Sequence, residues 1–507
     1  MDIVELTAPE LRRMIGRKAI SPVELTDACI ARIEAINPYV NAMAATDYDA
    51  ARRAAKTAED AVMRGDPLGL LHGLPAGIKD LEATAGLLTT HGSPLYRDLV
   101  PGEDNLLVSR LRAAGAIVVG KTNVPELGAG ANTRNPVWGA TGNPFNPNRN
   151  AGGSSGGSAA ALACDMLPVC TGSDTGGSLR IPAALCGVVG FRPSPGLVPS
   201  PRKLLGWTPI SVVGPMGRSV AEARLQLAAT AGLDSADPLS YTIDTDAFLA
   251  PREIDLSRLR VGWTEDFGVC DVDDDIRRTF RRKLDAMRAM FAVCEPVELD
   301  FADAHRAFDV IRAESFVAGL RVAYENDPDS LGQNTRANYE LGAAMTLADS
   351  ASAHAAQTAI MRRFQQLYSR YDVILAPTTP VSPFPWTQMF ANCVGGKAQA
   401  NYYRWLSLTY VVTLCTNPAA TLPCGTDEAG MPFGLQVIGP FRDDRRTLDI
   451  SEALESAFSS SGELSRPRPD LPALARCVIE PSLKSLVAFP SRDTDNEGRR
   501  GVGTSLV

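Results

Sequence analysis

Three short segments of this chain hold the residue types that acyl transfer needs: a serine nucleophile, a proton acceptor, and backbone amides able to face an oxyanion. The densest is Gly152-Gly-Ser-Ser-Gly-Gly-Ser158. By composition alone such a run reads as a flexible linker. Its flanks argue otherwise, because an apolar helix-forming stretch (159–163) and a strand-like run (166–170) follow at once. A loop held against core on one side is better read as rigid, with dihedrals that glycine takes at no steric cost. Twenty-four residues after Ser154, Ser178 stands in Thr171-Gly-Ser-Asp-Thr-Gly-Gly-Ser178-Leu-Arg180. Gly176 and Gly177 let successive amides turn toward one point, which is the nest a developing oxyanion requires. A serine directly after that nest is placed to attack the same carbonyl. Lys79 ends the third segment, Gly73-Leu-Pro-Ala-Gly-Ile-Lys79, ahead of Asp80. Taken alone it reads as a lysine snorkelling from a strand end. Buried, it sheds its proton because desolvation penalises the ammonium, and the free amine is then a general base.

Other chemistries find less support. Gly115-Ala-Ile-Val-Val-Gly-Lys121-Thr122 matches the phosphate-loop pattern GxxxxGK[ST], which would make the chain a nucleotide-binding protein. Its four variable residues are those of a buried strand rather than of a loop wrapping phosphate. Lys121 is therefore expected to be structural, at a strand end. The four histidines, His72, His91, His305 and His354, show no metal-ligand spacing, and the ten cysteines form no CxxC pair. No metal and no cofactor is expected, and the cysteines read as free thiols of a reducing cytoplasm. The net charge of −8, with no basic run among aromatics, sets nucleic-acid binding aside. The N-terminal segment lacks the pattern of a secretory signal, and no window approaches 18 unbroken apolar residues, so no membrane span is expected.

The elements that must position these segments alternate between strand and helix. Ser21-Pro-Val-Glu24 is a helix start with a capping box, and Leu25, Cys29, Ile33 and Ile36 give that helix one apolar face. Asn37-Pro38 is expected to stop it. Runs at 74–78, 116–119 and 166–170 read as strands, and 108–114 and 158–163 as helices, which is α/β texture. Stripes at Ile276, Phe280, Leu284, Met287 and Phe291, and at Ile360, Phe364, Leu367 and Tyr371, mark long helices. Strand texture at 260–263 precedes them and resumes at 372–377 and 434–438. The expected architecture is a single large α/β/α layered domain over 1–475, with a mixed central sheet and a helical inserted region at about 265–370. Residues 476–507 are expected to be a partly disordered tail, polar and Gly-rich from 491 on.

Together the three segments resemble the amidase signature family. The resemblance is carried by LHGLPAGIKD at 71–80, GGSSGGS at 152–158 and TGSDTGGSLRIPAALCGVVGFRPS at 171–194, with GKTNVPELG at 120–128 and NPAATLPCG at 417–425. Position by position it implies that Ser178 is the nucleophile, Ser154 the bridging serine after a cis Gly153–Ser154 bond, and Lys79 the base. It implies an oxyanion hole from the amides of Thr175, Gly176, Gly177 and Ser178, with Ser155, Asp174 and Arg180 in support. Neutral Lys79 would draw the Ser178 proton through Ser154, giving an acyl-enzyme that water hydrolyses.

Specificity is less determined. Glu126-Leu-Gly-Ala-Gly-Ala-Asn132 resembles a family stretch lining the acyl pocket, so Gly128, Ala129 and Gly130 are expected to border the substrate. Their small side chains leave room for a bulky or aromatic group, or equally for close backbone packing. Aromatics between Trp386 and Trp405, namely Phe390, Tyr402 and Tyr403 besides the two tryptophans, are candidates for another wall. An allophanate hydrolase would carry an extra C-terminal domain, and a malonamidase-like enzyme an arginine at Ser158. The reading reached is a cytoplasmic hydrolase of broad specificity for aryl and alkyl amides, with esters and carbamates (urethanes) open to the same route. Its partner is a small-molecule amide or carbamate, and a homodimer is compatible. The alternative is a glutamine-hydrolysing amidotransferase subunit, which shares the catalytic group.

Overall fold

The computed structural model describes residues 2–489. Eleven strands form one mixed sheet. In chain order they are β1 (Met43–Thr46), β2 (Pro75–Lys79), β3 (Ile117–Thr122), β4 (Val169–Asp174), β5 (Val189–Arg192), β6 (Val212–Gly217), β7 (Arg260–Trp263), β8 (Val293–Pro296), β9 (Val373–Pro377), β10 (Ala419–Thr426) and β11 (Pro432–Ile438). Their spatial order is β1-β3-β2-β4-β6-β5-β10-β11-β9-β7-β8. The pairs β2–β3, β2–β4, β7–β8 and β7–β9 are parallel, and the others antiparallel. Every residue of β2, β3, β9 and β11 is buried. Successive side chains of a strand point to opposite faces, so both faces of the sheet are covered.

The helices around the sheet include α1 (Pro22–Val40), α2 (Tyr48–Arg64), α3 (Leu106–Ala113), α4 (Gly156–Ala163), α5 (Arg180–Cys186), α6 (Asp274–Met287), α7 (Ala304–Asn326), α8 (Gln333–Ala343), α9 (Leu347–Gln366), α10 (Ser407–Cys415) and α11 (Asp444–Ser459). Helix α1 starts as its sequence dictates. Ser21 accepts from Val23 N at 2.9 Å, and Glu24 completes the capping box. It does not stop at Asn37-Pro38 but runs to Val40, with Pro38 in its last turn. There a proline removes only one intrahelical bond. Asn41, left-handed at φ 48°, closes the end by donating its N–H to Asn37 O. The Asn37 side chain grips Met43 through both its N–H and its C=O, tying the helix end to β1.

Two strands run further toward the chemistry than the apolar runs foretell. The run expected at 166–170 starts as the cap of α4, with Met166 N–H on Ala161 O, and the strand extends from Val169 to Asp174. The run at 116–119 continues through Lys121 to Thr122. Both extensions consist of Gly, Ser, Thr, Asp and Lys, which hydrophobic patterning does not register. The two helical stripes are shorter than expected: Phe291 lies beyond the end of α6 and Tyr371 beyond that of α9. Strand β8 interrupts the helices between β7 and β9 and joins the main sheet. Within 476–489, Leu483–Leu486 forms a 3-10 turn, with Leu483 buried against Ala140 and Trp386. The disorder expected over 491–507 falls outside the described residues.

Candidate active site

Parallel strands β2 and β4 lie side by side, with Gly77 opposite Cys170. Their C-terminal ends carry Lys79 and Asp174. The Lys79 N–H donates to Thr171 Oγ1 at 2.8 Å, which fixes the backbone of the lysine to β4. Its side chain is fully buried. Nζ donates to Ser154 Oγ at 2.8 Å and to Ser173 Oγ at 2.8 Å. Burial pushes the Lys79 ammonium down to about 7, against the opposing pull of Glu82 and Asp174. An amine poised near neutrality and bonded to a serine hydroxyl is a proton acceptor at physiological pH.

Ser154 is presented by the Gly152–Gly153 turn, and the Gly153–Ser154 peptide is cis. Gly157, the second residue of helix α4, passes so close to the end of β3 that an added Cβ would lie 2.2 Å from Asn123 N. The glycine run is therefore a packed junction. Ser155 N–H donates to Ser178 O at 3.3 Å, joining the two serine loops. Ser178 itself is half-buried.

The loop from Asp174 to Arg180 is pinned by charge. Asp174 and Arg180 are buried and doubly bonded, Nη2 to Oδ1 at 2.9 Å and Nε to Oδ2 at 3.0 Å. Arg180 spends its remaining donors on Thr409 O, Gln436 Oε1 and Thr413 Oγ1. Arg192, from β5, adds bonds to Asp174 O at 2.6 Å and Oδ1 at 3.1 Å. Burial would raise the Asp174 carboxyl, but the two guanidinium groups outweigh it and hold the group well below the usual carboxylate range. Asp174 also accepts from Gly177 N at 2.9 Å and Leu179 N at 3.2 Å. Thr409 Oγ1 donates to Gly176 O at 2.6 Å from α10.

These bonds narrow the expected amide nest. The Gly177 N–H is turned onto Asp174, so in this geometry it braces the loop. The N–H groups of Thr175, Gly176 and Ser178 have no protein acceptor among the described residues. Gly177 remains the only residue type that fits: its φ is +124°, and a Cβ there would meet Thr409 Oγ1 at 2.2 Å.

Gly128 of the 126–132 stretch lies against Ser154. A Cβ at Gly128, whose φ is +72°, would sit 3.7 Å from Ser154 Oγ. Ala129 O accepts from Asn334 Nδ2 at 2.9 Å, and Ala129 and Asn132 line a cavity of about 300 Å³ shared with the start of α8. A Cβ on Gly130 would come within 3.5 Å of Asn334. Of the expected aromatic wall, only part arrives. Phe308 of α7 would touch a Gly176 Cβ at 3.1 Å, stacks on Tyr410 at 4.2 Å and meets Tyr403 edge-on at 5.9 Å. Tyr402 packs on Tyr403, but Trp405 packs on Phe384, and Trp386 belongs to the cluster with Leu483.

The remaining sequence candidates are structural. Lys121 is buried in β3, with Nζ on Glu82 O and Thr84 Oγ1, and no loop surrounds it that could wrap phosphate. Ser158 is bonded to Thr122 Oγ1 and Thr171 O inside the core. Sequence reasoning missed Ser173, Arg192, Thr409 and Phe308. A signal existed for Ser173, since it follows Thr171 by two in a strand and so shares the face that meets Lys79. Arg192 lies within the 171–194 segment but reaches Asp174 only through strand pairing, and Thr409 and Phe308 come from distant segments brought in by the fold.

Comparison with known proteins places this geometry. Residues 24–448 match the sequence profile of the family described as Amidase. One subunit of the glutamyl-tRNA(Gln) amidotransferase of Roseiflexus castenholzii is 34% identical over 479 residues, covering 89% of this chain and 96% of that protein. Among solved structures, a bacterial aryl acylamidase of the amidase signature enzymes superposes with a TM-score of 0.83 at 28% identity, covering 89% of this chain and 96% of its own. A chain from a vestigial protein complex, described for the evolutionary origins of an s-triazine catabolic enzyme, gives 0.82 at 26%, covering 91% of this chain and all of its own.

Proposed function

The chain belongs to the amidase signature family of amide-hydrolysing enzymes, and from that premise we propose that it cleaves small aryl and alkyl amides through a Ser178 acyl-enzyme, with Ser154 and Lys79 as proton relay. The observation that carries this reading is the buried Lys79 amine, held near neutrality and bonded to Ser154 Oγ at 2.8 Å. Neutral Lys79 takes the Ser154 proton as Ser154 takes that of Ser178. Ser178 Oγ then adds to the substrate carbonyl. The negative oxygen is received by the free amides of Thr175, Gly176 and Ser178, each worth about 3 kcal/mol. The proton returns through Ser154 to the leaving nitrogen, the C–N bond breaks, and the amine departs. Water repeats the sequence on the ester and frees the acid. Esters and carbamates offer the same carbonyl and a leaving heteroatom, so the site is suited to them as well. Gly128, Ala129 and Gly130 would flank the substrate beside Ser154.

The experiment is turnover of a 4-nitroanilide by wild type, Ser178→Ala and Lys79→Ala. The expected result is amine release by wild type, with each variant lower by at least ~10³-fold. Equal turnover by Ser178→Ala would refute the assignment, and silence of the wild type would refute the aryl-amide preference.

A second reading, glutamine hydrolysis within an amidotransferase, is favoured by the likeness to the Roseiflexus castenholzii protein. Ammonia release from L-glutamine, with and without the other components of such an enzyme, separates the two.

A further inference from the structure

Among the described residues Arg312 has no counter-ion. It lies on α7 and is only 7% exposed. Its guanidinium lies over the rings of Phe316 and Tyr403, each at 4.6 Å, and of Tyr402 at 5.3 Å. Its hydrogen bonds go to neutral oxygens, Asn338 Oδ1 and the Tyr402 hydroxyl. No carboxylate among the described residues pairs with it. Of the acids on the same helix, Asp309 is already matched by Arg404, through both of its oxygens, and by the Tyr403 hydroxyl, Glu314 is engaged by Ser350 and His354, and Glu325 pairs with Arg321. A buried unpaired charge is expensive, and aromatic faces recover only part of that cost.

Its place is the second observation. One helical turn before it, Phe308 covers Gly176, whose amide is free for an oxyanion. On its other side Asn338 Nδ2 donates to Asn334 O, and Asn334 holds Ala129 beside the Gly128 that faces Ser154. Arg312 thus sits on the helix whose Phe308 covers Gly176, and is linked through Asn338 and Asn334 to Ala129. A fork of N–H donors held only by neutral acceptors matches a carboxylate, which forms two charge-assisted bonds in its place.

We propose that Arg312 is a specificity-determining residue that selects amide substrates bearing a carboxylate. This rests on the amidase reading above and names its substrate class. The test compares kcat/KM within two matched pairs. One is the mono-4-nitroanilide of glutaric acid against pentanoic 4-nitroanilide, which puts the charge on the acyl side. The other is 4-(pentanoylamino)benzoate against pentanoic anilide, which puts it on the leaving side. Wild type is expected to favour the charged member of at least one pair by more than ~10-fold, a difference of about 1.4 kcal/mol. Arg312→Met should cut that ratio at least ~10-fold, and Arg312→Lys should keep part of it, having the charge without the fork. Absence of preference in both pairs, or an equal loss on charged and neutral members in Arg312→Met, overturns the proposal. Calorimetric binding of the glutaric anilide and the benzoate to Ser178→Ala, and its loss in the double variant with Arg312→Met, reads the site without turnover. If neither charged ligand binds Ser178→Ala, the proposal fails. If binding depends on Arg312 while wild type cleaves no anilide, the aryl-amide reading fails and the carboxylate site stands.

Discussion

In the proposed relay Lys79 sets the pH dependence, because only its neutral form accepts the serine proton. Burial lowers its ammonium to about 7. The group is therefore neutral above that value and protonated below it. We expect kcat/KM to rise with pH through about 7 and to level off above, read as a pH–rate profile on a neutral anilide. A flat profile from pH 5 to 9 would contradict the assignment. The same depression works on stability with a definite sign. The unfolded lysine holds its proton up to about 10.4, so between about 7 and 10.4 the unfolded state binds more protons. This group then contributes stability that grows with pH over that window. Ser173 accepts from Nζ at 2.8 Å. Ser173→Ala removes an acceptor for the ammonium, so the acidic limb should move to lower pH, while the loosened amine lowers kcat by ~10–100-fold. An unmoved limb would make Ser173 merely structural. At this scale the sequence was informative because Ser178, Ser154 and Lys79 each lie in a distinctive segment. Ser173 lies in the same segment as Ser178, yet its partner is 94 residues away and only strand pairing joins them.

The turn from β4 to α5 shows how an element is fixed by charge and by absence of a side chain. Asp174 gathers Arg180, Arg192 and the amides of Gly177 and Leu179, so the loop has no freedom to reorient. Gly177→Ala would force a Cβ into Thr409 Oγ1 at a φ of +124°. Strain of this kind costs about 1–3 kcal/mol. We expect a lower thermal midpoint and at least a ~10-fold loss in kcat with KM little changed, because the displaced amides act on the transition state. Loss in KM alone would contradict this role. Element identity was largely readable from hydrophobic runs and caps, as at Ser21 and in β7, β9 and β11. Element ends near the site were not readable. There β3 and β4 continue as Gly, Ser, Thr, Asp and Lys, held by neighbouring strands rather than by their own apolarity.

At the scale of the molecule, β7 and β9 flank the α6–α9 excursion in sequence, β8 lies within it, and all three strands belong to the main sheet. The helices that bring Phe308 and Arg312 to the reaction centre are thus inserted into the body that holds the serines. We therefore expect the chain to unfold as one unit, seen as a single calorimetric transition with matching van't Hoff and calorimetric enthalpies. Two resolved transitions would indicate separable domains. The alternation of strand and helix made the fold class legible. The strand order, in which β5 and β6 exchange places and β10 enters beside β5, left no trace in the sequence. It depends on contacts between segments up to hundreds of residues apart, such as Ala419 opposite Arg192.

The central claim is that Ser178 is a nucleophile activated through Ser154 and Lys79. The most direct measurement is the site and rate of labelling by a fluorophosphonate, in which a serine oxygen displaces fluoride from phosphorus and no turnover is needed. Peptide mapping by mass spectrometry should place one label on Ser178, absent in Ser178→Ala and slowed by at least ~10²-fold in Lys79→Met. A label on another residue, or an equal labelling rate without Lys79, would contradict the account.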